Sequence, residues 1–384
     1  MAKTSANGGS ARRINLALQG GGAHGAFTWG VLDRLLQDGR FEIEGISGTS
    51  AGAMNAVVLA DGYQKSGADG AREKLHDFWR SIGRNWRFSP IQRTAWDVFM
   101  GNWSLDTSPG FRMLDVISRF SSPYDFNPLN VNPLMDILRE DVKFSRVRAC
   151  ADIKIFLAAT NVQNGKVRIF ETHEMTPEVV MASACLPHLF QAVEIDGVPY
   201  WDGGYMGNPA LFPFFSQTRS EDILLVQINP VEREETPRTA REILNRLDEI
   251  TFNASLLREY RAIEFVGRLI DEGKLNNGEY KKIRMHRIAA DEALEPLSAS
   301  SKFNTEWQFL KLLRDIGRTA AEDWLELESD KVGVESGMVL EEEIAYRFDR
   351  TRAKAGPKPH MQRALEKLRQ KMGLSGKSGA GKSA

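Results

Sequence analysis

One serine lies in a sequence pattern that is typical of a catalytic nucleophile. Residues 48–52 read Gly-Thr-Ser-Ala-Gly, which fits G-x-S-x-G with Ser50 at its centre. An apolar stretch ends just before this pattern and an alanine-rich stretch begins just after it. That order predicts a sharp strand-to-helix turn that exposes the Ser50 hydroxyl, with Gly48 and Gly52 present because a Cβ there would collide with neighbouring backbone. The alternative is that Ser50 only caps the following helix.

A glycine-rich turn precedes this serine in the chain. Residues 20–25 read Gly-Gly-Gly-Ala-His-Gly and fit G-x-G-x-x-G between a predicted strand and a predicted helix. Such small residues let backbone N–H groups point at a developing negative oxygen, so the amides of Gly20, Gly21 and Gly22 are candidates for an oxyanion hole. Gly25 would support the packing of the turn. Packing alone is the remaining interpretation of the glycines.

The same glycine pattern is also found in dinucleotide-binding turns. That function would need an acid to bind the ribose, and Glu42 and Glu44 lie near the expected distance along the chain. The acid should stand at the end of the second strand, however, and the Ser50 motif occupies that position. We therefore favour the oxyanion hole over nucleotide binding.

A nucleophilic serine needs a proton acceptor, and Asp202 is the best candidate in the sequence. It follows an aromatic strand end and precedes Gly203 and Gly204, so a glycine turn would hold its carboxylate at the end of a strand. The alternative for Asp-Gly is an Asx turn. Of the histidines that follow this strand, neither His286 nor His360 lies in a turn that is typical of a catalytic residue. His24, in the glycine turn, and His188, in a loop, are interpreted as core or surface residues.

A parallel sheet is the element that would bring these residues together. Apolar runs at 14–18 and 41–46 predict strands, each followed by a glycine turn and an amphipathic helix, which is the beginning of a parallel α/β sheet. Both turns then open at one edge, so Ser50 and the amides of residues 20–22 would face one crevice. Further strands are predicted at 153–160, 166–170, 193–201 and 223–228, with a helix at 177–185.

The chain divides by composition into several segments. We expect a leader at 1–13, an α/β core at 14–235 with a helical insertion at about 70–145, a mainly helical extension at 236–350 and a basic tail at 351–384. Many aromatic residues lie in the insertion, and we expect them to form its core. Helices at 238–271 and 304–328 flank a predicted strand at 280–288 in the extension.

The basic tail is a candidate for contact with an anionic membrane surface. Residues 350–384 contain ten Lys and Arg and one acid, Glu366, and one helix is predicted at 361–372. Residues 376–383 also match the P-loop pattern G-x-x-x-x-G-K-S. We interpret this match as a coincidence, because a P-loop needs a strand before it and a helix after it.

Overall composition excludes several classes of protein. The 384 residues include 50 Lys and Arg against 51 Asp and Glu, a net charge of −1, which gives no global basic field for nucleic acid.

Cys150 and Cys185 lack metal-binding spacing and are expected to be buried core residues. Apolar runs are too short to span a bilayer, and 1–13 lacks the apolar region of a secretion signal, so we expect a cytoplasmic protein that could be peripheral to a membrane.

Three motifs together resemble the patatin-like phospholipase family. They are the glycine turn at 20–25, the Ser50 motif and the Asp202-Gly-Gly sequence, in this order, and the resemblance covers roughly residues 14–230. The segment 181–187 also resembles the small-residue helix that precedes the aspartate strand in that family. The resemblance implies a three-layer α/β fold with a mostly parallel central sheet, and a lipid acyl hydrolase that works through a Ser–Asp dyad.

The resemblance also implies a role for each site residue. Ser50 is then the nucleophile, Asp202 the proton acceptor and the backbone of residues 20–22 the oxyanion hole, with no metal or organic cofactor. The expected activity is hydrolysis of lipid acyl esters, of phospholipase A or lysophospholipase type, through an acyl-enzyme. The alternatives are acyl transfer to an alcohol, depolymerisation of a storage polyester, a nucleotide-binding oxidoreductase, and a catalytically idle lipid-binding module.

Overall fold

A computed structural model describes residues 12–86, 89–233, 236–276, 279–294 and 297–345. Residues 1–11 and 346–384 lie outside this range. The predicted basic tail, its helix, its membrane contact, His360 and the P-loop pattern therefore all lie outside the described residues. The first strand includes Arg12 and Arg13, so it begins two residues before the strand predicted at 14–18 and overlaps the predicted leader.

The strands of the described chain form one mostly parallel sheet, as predicted. Their bounds are β1 Arg12–Leu18, β2 Phe41–Gly48, β3 Lys154–Asn161, β4 Val167–Glu171, β5 Val193–Ile195, β6 Val198–Asp202, β7 Asp222–Val226 and β8 Arg284–Ile288. Their order is β5-β6-β3-β2-β1-β7-β8, with β4 paired to β3. Strands β3, β2, β1, β7 and β8 are parallel, whereas β4 and β6 are antiparallel to β3 and β5 is antiparallel to β6.

Helices connect the strands and cover the sheet. Their bounds are α1 Gly25–Asp38, α2 Ala51–Asn85, α3 Ala95–Phe99, α4 Pro109–Phe120, α5 Pro123–Phe126, α6 Pro133–Asp141, α7 Phe144–Arg148, α8 Pro177–Ser183, α9 Pro213–Gln217, α10 Ala240–Asp271, α11 Asp291–Leu294, α12 Trp307–Leu327 and α13 Leu340–Ile344. The chain leaves α1 at Gly39, whose left-handed backbone lets its amide bond the Leu35 carbonyl, as is usual at helix ends.

Alternate residues of β1 contact different layers of the fold. Leu16 and Leu18 belong to a buried cluster that includes residues of α1, α2 and α12. Ala17, between them, belongs to a second cluster with residues of α9 and α10. Since successive side chains of a strand point to opposite faces, the sheet is covered by helices on both faces. This is the predicted three-layer architecture.

The region after residue 235 contributes to the central sheet itself. Strand β8 pairs in parallel with β7 and so extends the sheet at its edge. Helix α12 packs closely on α1, because Gly30 contacts the Arg314 carbonyl and Gly317 contacts the Phe27 carbonyl with no space for a side chain at either position. The long helix predicted at 238–271 is confirmed as α10.

The single strand predicted at 193–201 is wrong, because this segment forms a hairpin of β5 and β6. Asp196 and Gly197 both have positive φ, at 51° and 76°, and make the tight turn between the two strands. Asp-Gly is a preferred sequence for such turns. The hairpin matters for the site because its second strand carries Asp202 at its end.

The expectation that the aromatic residues of 70–145 form a separate core is also wrong. Helix α2 is interrupted by a kink at Ser66 and Gly67 and then continues to Asn85, and its Phe78 and Trp79 are buried in the main core. Later aromatic residues are exposed instead, with Trp96 at 67% and Phe120 at 87% of their maximal accessibility. The helices between 95 and 126 are short and lie on the surface, so they do not enclose a core of their own.

Two further observations concern membrane helices and cysteines. No helix in the described ranges is both long and apolar enough to cross a bilayer. Cys150 and Cys185 are buried and unpaired, as predicted.

We predict opposite effects of two glycine-to-alanine substitutions on stability. Gly317→Ala would push a methyl group into the Phe27 carbonyl, and overpacking of this kind typically costs about 1–3 kcal/mol. Gly267→Ala, in α10, meets nothing within 4 Å and would gain up to about 1 kcal/mol of helix propensity. Urea denaturation measures both free energies of unfolding. Equal effects of the two substitutions would contradict the close packing of α12 on α1.

Candidate active site

Ser50 occupies a strained turn between β2 and α2. Its φ of 54° and ψ of −119° are costly for a residue with a side chain, so the surrounding contacts must hold the turn. The Ser50 amide lies 3.1 Å from both the carbonyl and the hydroxyl oxygen of Ser183. The Thr49 hydroxyl donates to the Gly207 carbonyl at 2.6 Å. The predicted strand–turn–helix around Ser50 is therefore present, and it places this residue at the positive N-terminal end of α2.

Glycines make this turn possible because there is no space for side chains around it. A Cβ at Gly48 would lie 2.7 Å from the Gly52 backbone, and one at Gly52 would meet the Leu18 carbonyl. A Cβ at Gly25 would lie 2.6 Å from that of Ala51. The ends of β1 and β2 and the starts of α1 and α2 thus approach one another at backbone contact distance.

Strand β3 brings Asp202 to the same end of the sheet as Ser50. It pairs with β2 on one side, Leu157 opposite Gly48, and with β6 on the other, Ala159 opposite Asp202. These partners are two residues apart along β3. The carboxyl end of β2 and the end of β6 therefore meet, even though their residues are about 150 positions apart in sequence.

Asp202 is buried and only partly hydrogen-bonded. Its amide donates to the Cys185 carbonyl at 2.8 Å, and its Oδ1 accepts a hydrogen bond from the Gly204 amide at 2.7 Å. Its Oδ2 has no hydrogen-bond partner within the described part of the chain. A buried carboxylate oxygen without a partner is costly and typical of a functional group.

Burial governs the protonation of this carboxyl group. It raises the pKa of Asp202 from 3.8 to about 7, against the smaller opposing effects of the Gly204 amide and the Ser50 hydroxyl. The Ser50 hydroxyl is thus near enough to favour the charged carboxylate, although it does not donate a hydrogen bond to Asp202 Oδ2 in this structure. The Ser50 hydroxyl and the Asp202 carboxyl group therefore lie close to each other.

The glycine turn lies directly against Ser50. A Cβ at Gly20 would be 2.8 Å from the Ser50 Cβ. The Gly20 amide, however, donates to Asn208 Oδ1 at 2.7 Å, so it does not serve the oxyanion hole that the sequence predicted from three amides. Among the described residues, no acceptor bonds the amides of Gly21 and Gly22. These two amides remain as candidates for an oxyanion hole.

Residues that the sequence analysis missed hold the glycine turn in place. The Asn229 amide group donates to the Gly20 carbonyl at 2.7 Å, and its oxygen accepts a hydrogen bond from the Lys302 ammonium at 2.8 Å. The Lys302 carbonyl lies where a Cβ of Gly22 would come within 2.5 Å. Burial lowers the pKa of Lys302. No motif in the sequence pointed to Asn229 or Lys302.

The two glycines after Asp202 also have no space for a side chain. A Cβ at Gly203 would meet the Ala158 carbonyl of β3, and one at Gly204 would meet the ring of Phe252 on α10. The turn after β6 is therefore held between the sheet and the C-terminal region. This confinement fixes the Gly204 amide that bonds Asp202.

Two of the histidines considered as a base have structural partners in the described chain. His24 Nε2 is 2.7 Å from the Ser301 hydroxyl, and burial together with the charge of Lys302 lowers its pKa to about 3. His286 Nε2 is 2.9 Å from Asp222 Oδ1 at the far side of the sheet. His188 is exposed, in the turn that follows α8. That none of these histidines is the base stays a prediction.

The acids required for dinucleotide binding lie away from the glycine turn. Glu42 and Glu44 stand in the first half of β2, at the opposite end from Ser50. The Glu44 carboxylate accepts the amides of Arg219 and Ser220 at 2.7 and 2.9 Å, and Glu42 pairs with Arg13. Neither is placed to bind a ribose at residues 20–25, so nucleotide binding there is disfavoured.

A strained serine at a helix N-terminus, facing a buried carboxylate and beside unused amides, is the arrangement expected of a serine acyl hydrolase. The chain belongs to the patatin-like phospholipase family, whose model matches residues 16–215. This confirms the predicted family and, in general terms, supports lipid acyl hydrolase activity.

Individual proteins with similarity to this chain were also found. The uncharacterized protein YqhO of Bacillus subtilis is 24% identical over 247 residues, covering 59% of this chain and 75% of its own length. VipD from Legionella pneumophila has 13% identity and a TM-score of 0.40, with 96% of this chain and 78% of VipD covered. The ExoU–SpcU complex of the Pseudomonas aeruginosa type III secretion system has 14% identity and a TM-score of 0.34, with 94% and 60% covered.

We predict that Asp202→Asn stabilises the fold in a pH-dependent way. Between pH 4 and about pH 7 the folded wild type retains a proton that the unfolded chain has released, so its free energy of unfolding falls as pH rises. Each pKa unit corresponds to about 1.4 kcal/mol, and asparagine removes this loss. The variant should unfold at higher urea concentration than the wild type at pH 8, with a smaller difference at pH 5. Equal midpoints at both pH values would contradict a buried, titrating Asp202.

Proposed function

We propose that this protein hydrolyses lipid acyl esters through a Ser50–Asp202 dyad and an acyl-enzyme, as a phospholipase A or lysophospholipase. The observation that carries the proposal is the unpartnered Oδ2 of Asp202, buried and facing the strained Ser50 turn. The first chemical step follows from this geometry. Asp202 accepts the proton of the Ser50 hydroxyl as Ser50 Oγ attacks the ester carbonyl carbon.

The raised pKa of Asp202 assists this proton transfer. A serine hydroxyl is a very weak acid, so its proton moves more easily to a carboxylate with a pKa of about 7 than to an ordinary one. The difference is roughly 1.4 kcal/mol for each pKa unit. Burial thus provides the basicity that a histidine supplies in other serine hydrolases.

Backbone amides and a helix N-terminus are proposed to stabilise the negative charge that develops during attack. The Gly21 and Gly22 amides are available to donate to the oxygen of the tetrahedral intermediate. Loss of one such donor typically costs about 2.7–4 kcal/mol. The N-terminus of α2 stabilises the Ser50 oxygen itself.

The second half of the reaction returns the dyad to its starting state. As the intermediate collapses, the proton on Asp202 passes to the leaving alcohol oxygen, and the acyl group remains on Ser50. Asp202 then accepts a proton from water, whose oxygen attacks the acyl carbon. The fatty acid leaves as Ser50 recovers its proton from Asp202.

Exposed apolar side chains support a lipid as the substrate. The large side chains between 95 and 131 that are more than half exposed are Trp96, Val98, Phe99, Met100, Met113, Val116, Phe120, Tyr124, Leu129 and Val131. Such a concentration of exposed apolar surface is typical of proteins that contact another apolar phase. A lipid aggregate supplies that phase.

The dyad is tested by hydrolysis of p-nitrophenyl butyrate and of phosphatidylcholine vesicles. Ser50→Ala and Asp202→Asn should each lower kcat by about 10⁴-fold or more, as removal of a nucleophile or its base does elsewhere. In the wild type, kcat/KM should fall tenfold per pH unit below about pH 7, where Asp202 becomes protonated.

Matched controls use exposed residues of the same types. Ser216→Ala and Asp69→Asn lie on the surface and should retain wild-type rates. Retention of activity by a folded Asp202→Asn variant would refute the role of this carboxylate. Activity in the wild type without dependence on Ser50 would refute the nucleophile.

A further inference from the structure

A groove lies beside the proposed active site, between α6 and the turn that follows α8. Its volume is about 370 Å³, within the range of small-molecule sites. Its apolar walls are formed by Val131, Met135, Met181, Cys185, Phe190 and Val193. Nothing in the mechanism above uses this groove.

The inner wall of the groove is the segment that holds both members of the dyad. Met181 and Cys185 lie on either side of Ser183, whose carbonyl and hydroxyl oxygens accept the Ser50 amide. The Cys185 carbonyl accepts the Asp202 amide. A ligand in the groove would therefore contact Cys185, which is hydrogen-bonded to the Asp202 amide, and would lie against the residues two positions before and after Ser183, which is hydrogen-bonded to the Ser50 amide.

Polarity changes along the groove. Met181 and Cys185, at the inner wall, are buried, and burial raises the pKa of the Cys185 thiol to about 12, so it stays neutral. The charged residues Asp136 and Arg139 are exposed at the outer side, where Arg139 pairs with Glu178. The inner end thus accommodates an uncharged, apolar group.

The exposed apolar surface continues into the mouth of the groove. Val131 lines the groove and is 59% exposed, and Leu129 and Phe120 precede it on the surface. The adjoining segment is fixed to the far rim, because the Gln191 side chain donates to the Asn127 carbonyl at 2.9 Å. Val131 thus belongs both to the exposed apolar surface and to the groove, whose apolar lining extends to Cys185.

We propose that this groove binds the acyl chain of the ester and sets the chain-length preference. The inference rests on the proposed hydrolase function, since it takes Ser50 as the site of acylation. An acyl chain fits the apolar inner wall, and the ester carbonyl at its end would lie next to the Ser50 turn. Val131 at the mouth and Phe190 on the wall are the specificity-determining residues.

The test compares kcat/KM for p-nitrophenyl acetate, hexanoate and dodecanoate in two variants. Val131→Trp narrows the groove and should lower the dodecanoate-to-acetate ratio of kcat/KM about tenfold or more, the discrimination that a methylene or two provides in an apolar pocket. Phe190→Ala widens the groove and should raise that ratio. Val334→Trp is the matched control, because Val334 is 76% exposed and lies outside both the groove and the exposed apolar residues of 95–131, and its ratio should stay that of the wild type.

A second series distinguishes the acyl chain from the alcohol. Hexanoate esters of alcohols of increasing length should show the same relative rates in the wild type and both groove variants. If the variants change the alcohol preference and leave the acyl preference unchanged, the assignment is wrong. Active variants with an unchanged acyl profile would also overturn it, whereas absence of any esterase activity in the wild type would refute the proposed function instead.

Discussion

Burial of the Asp202 carboxylate is the constraint on which the rest of the site depends. Taking an ionisable group out of water costs free energy unless partners compensate, and this one has a hydrogen bond to only one of its oxygens. The fold accepts that cost because β3, the Cys185 carbonyl and the confined Gly204 hold the aspartate in place. The same burial that opposes folding at high pH raises the basicity that our proposed mechanism needs.

The C-terminal region, beyond the part of the chain that matches the family model, also helps to hold the site residues in place. Strand β8 extends the sheet, and Phe252 of α10 leaves no space for a side chain at Gly204. Lys302 reaches Asn229, which holds the Gly20 carbonyl, and Ser301 bonds His24. Residues beyond 215 therefore support both glycine turns, although no motif in that region predicted a contact with the site.

Local patterns in the sequence predicted the elements and turns whose conformation depends on residues adjacent in the chain. Alternating strands, glycine turns and helices predicted the parallel sheet and the turn at Ser50, because small residues are needed wherever backbones touch. The bond between Gly20 and Asn208 could not be predicted, since it joins residues far apart in sequence through a side chain with many possible partners. The aromatic content of 70–145 led to the wrong prediction that Trp96 and Phe120 are buried, because composition does not distinguish a core from an exposed apolar surface.

The most direct measurement of the central claim is the rate at which a fluorophosphonate modifies the protein, followed by mass spectrometry and peptide mapping from pH 5 to pH 9. Our account predicts one adduct, on Ser50, with a labelling rate that falls as Asp202 is protonated below about pH 7. The Asp202→Asn variant should label slowly at every pH. Labelling of another serine, or equally fast labelling of Ser50 in the Asp202→Asn variant, would contradict the account.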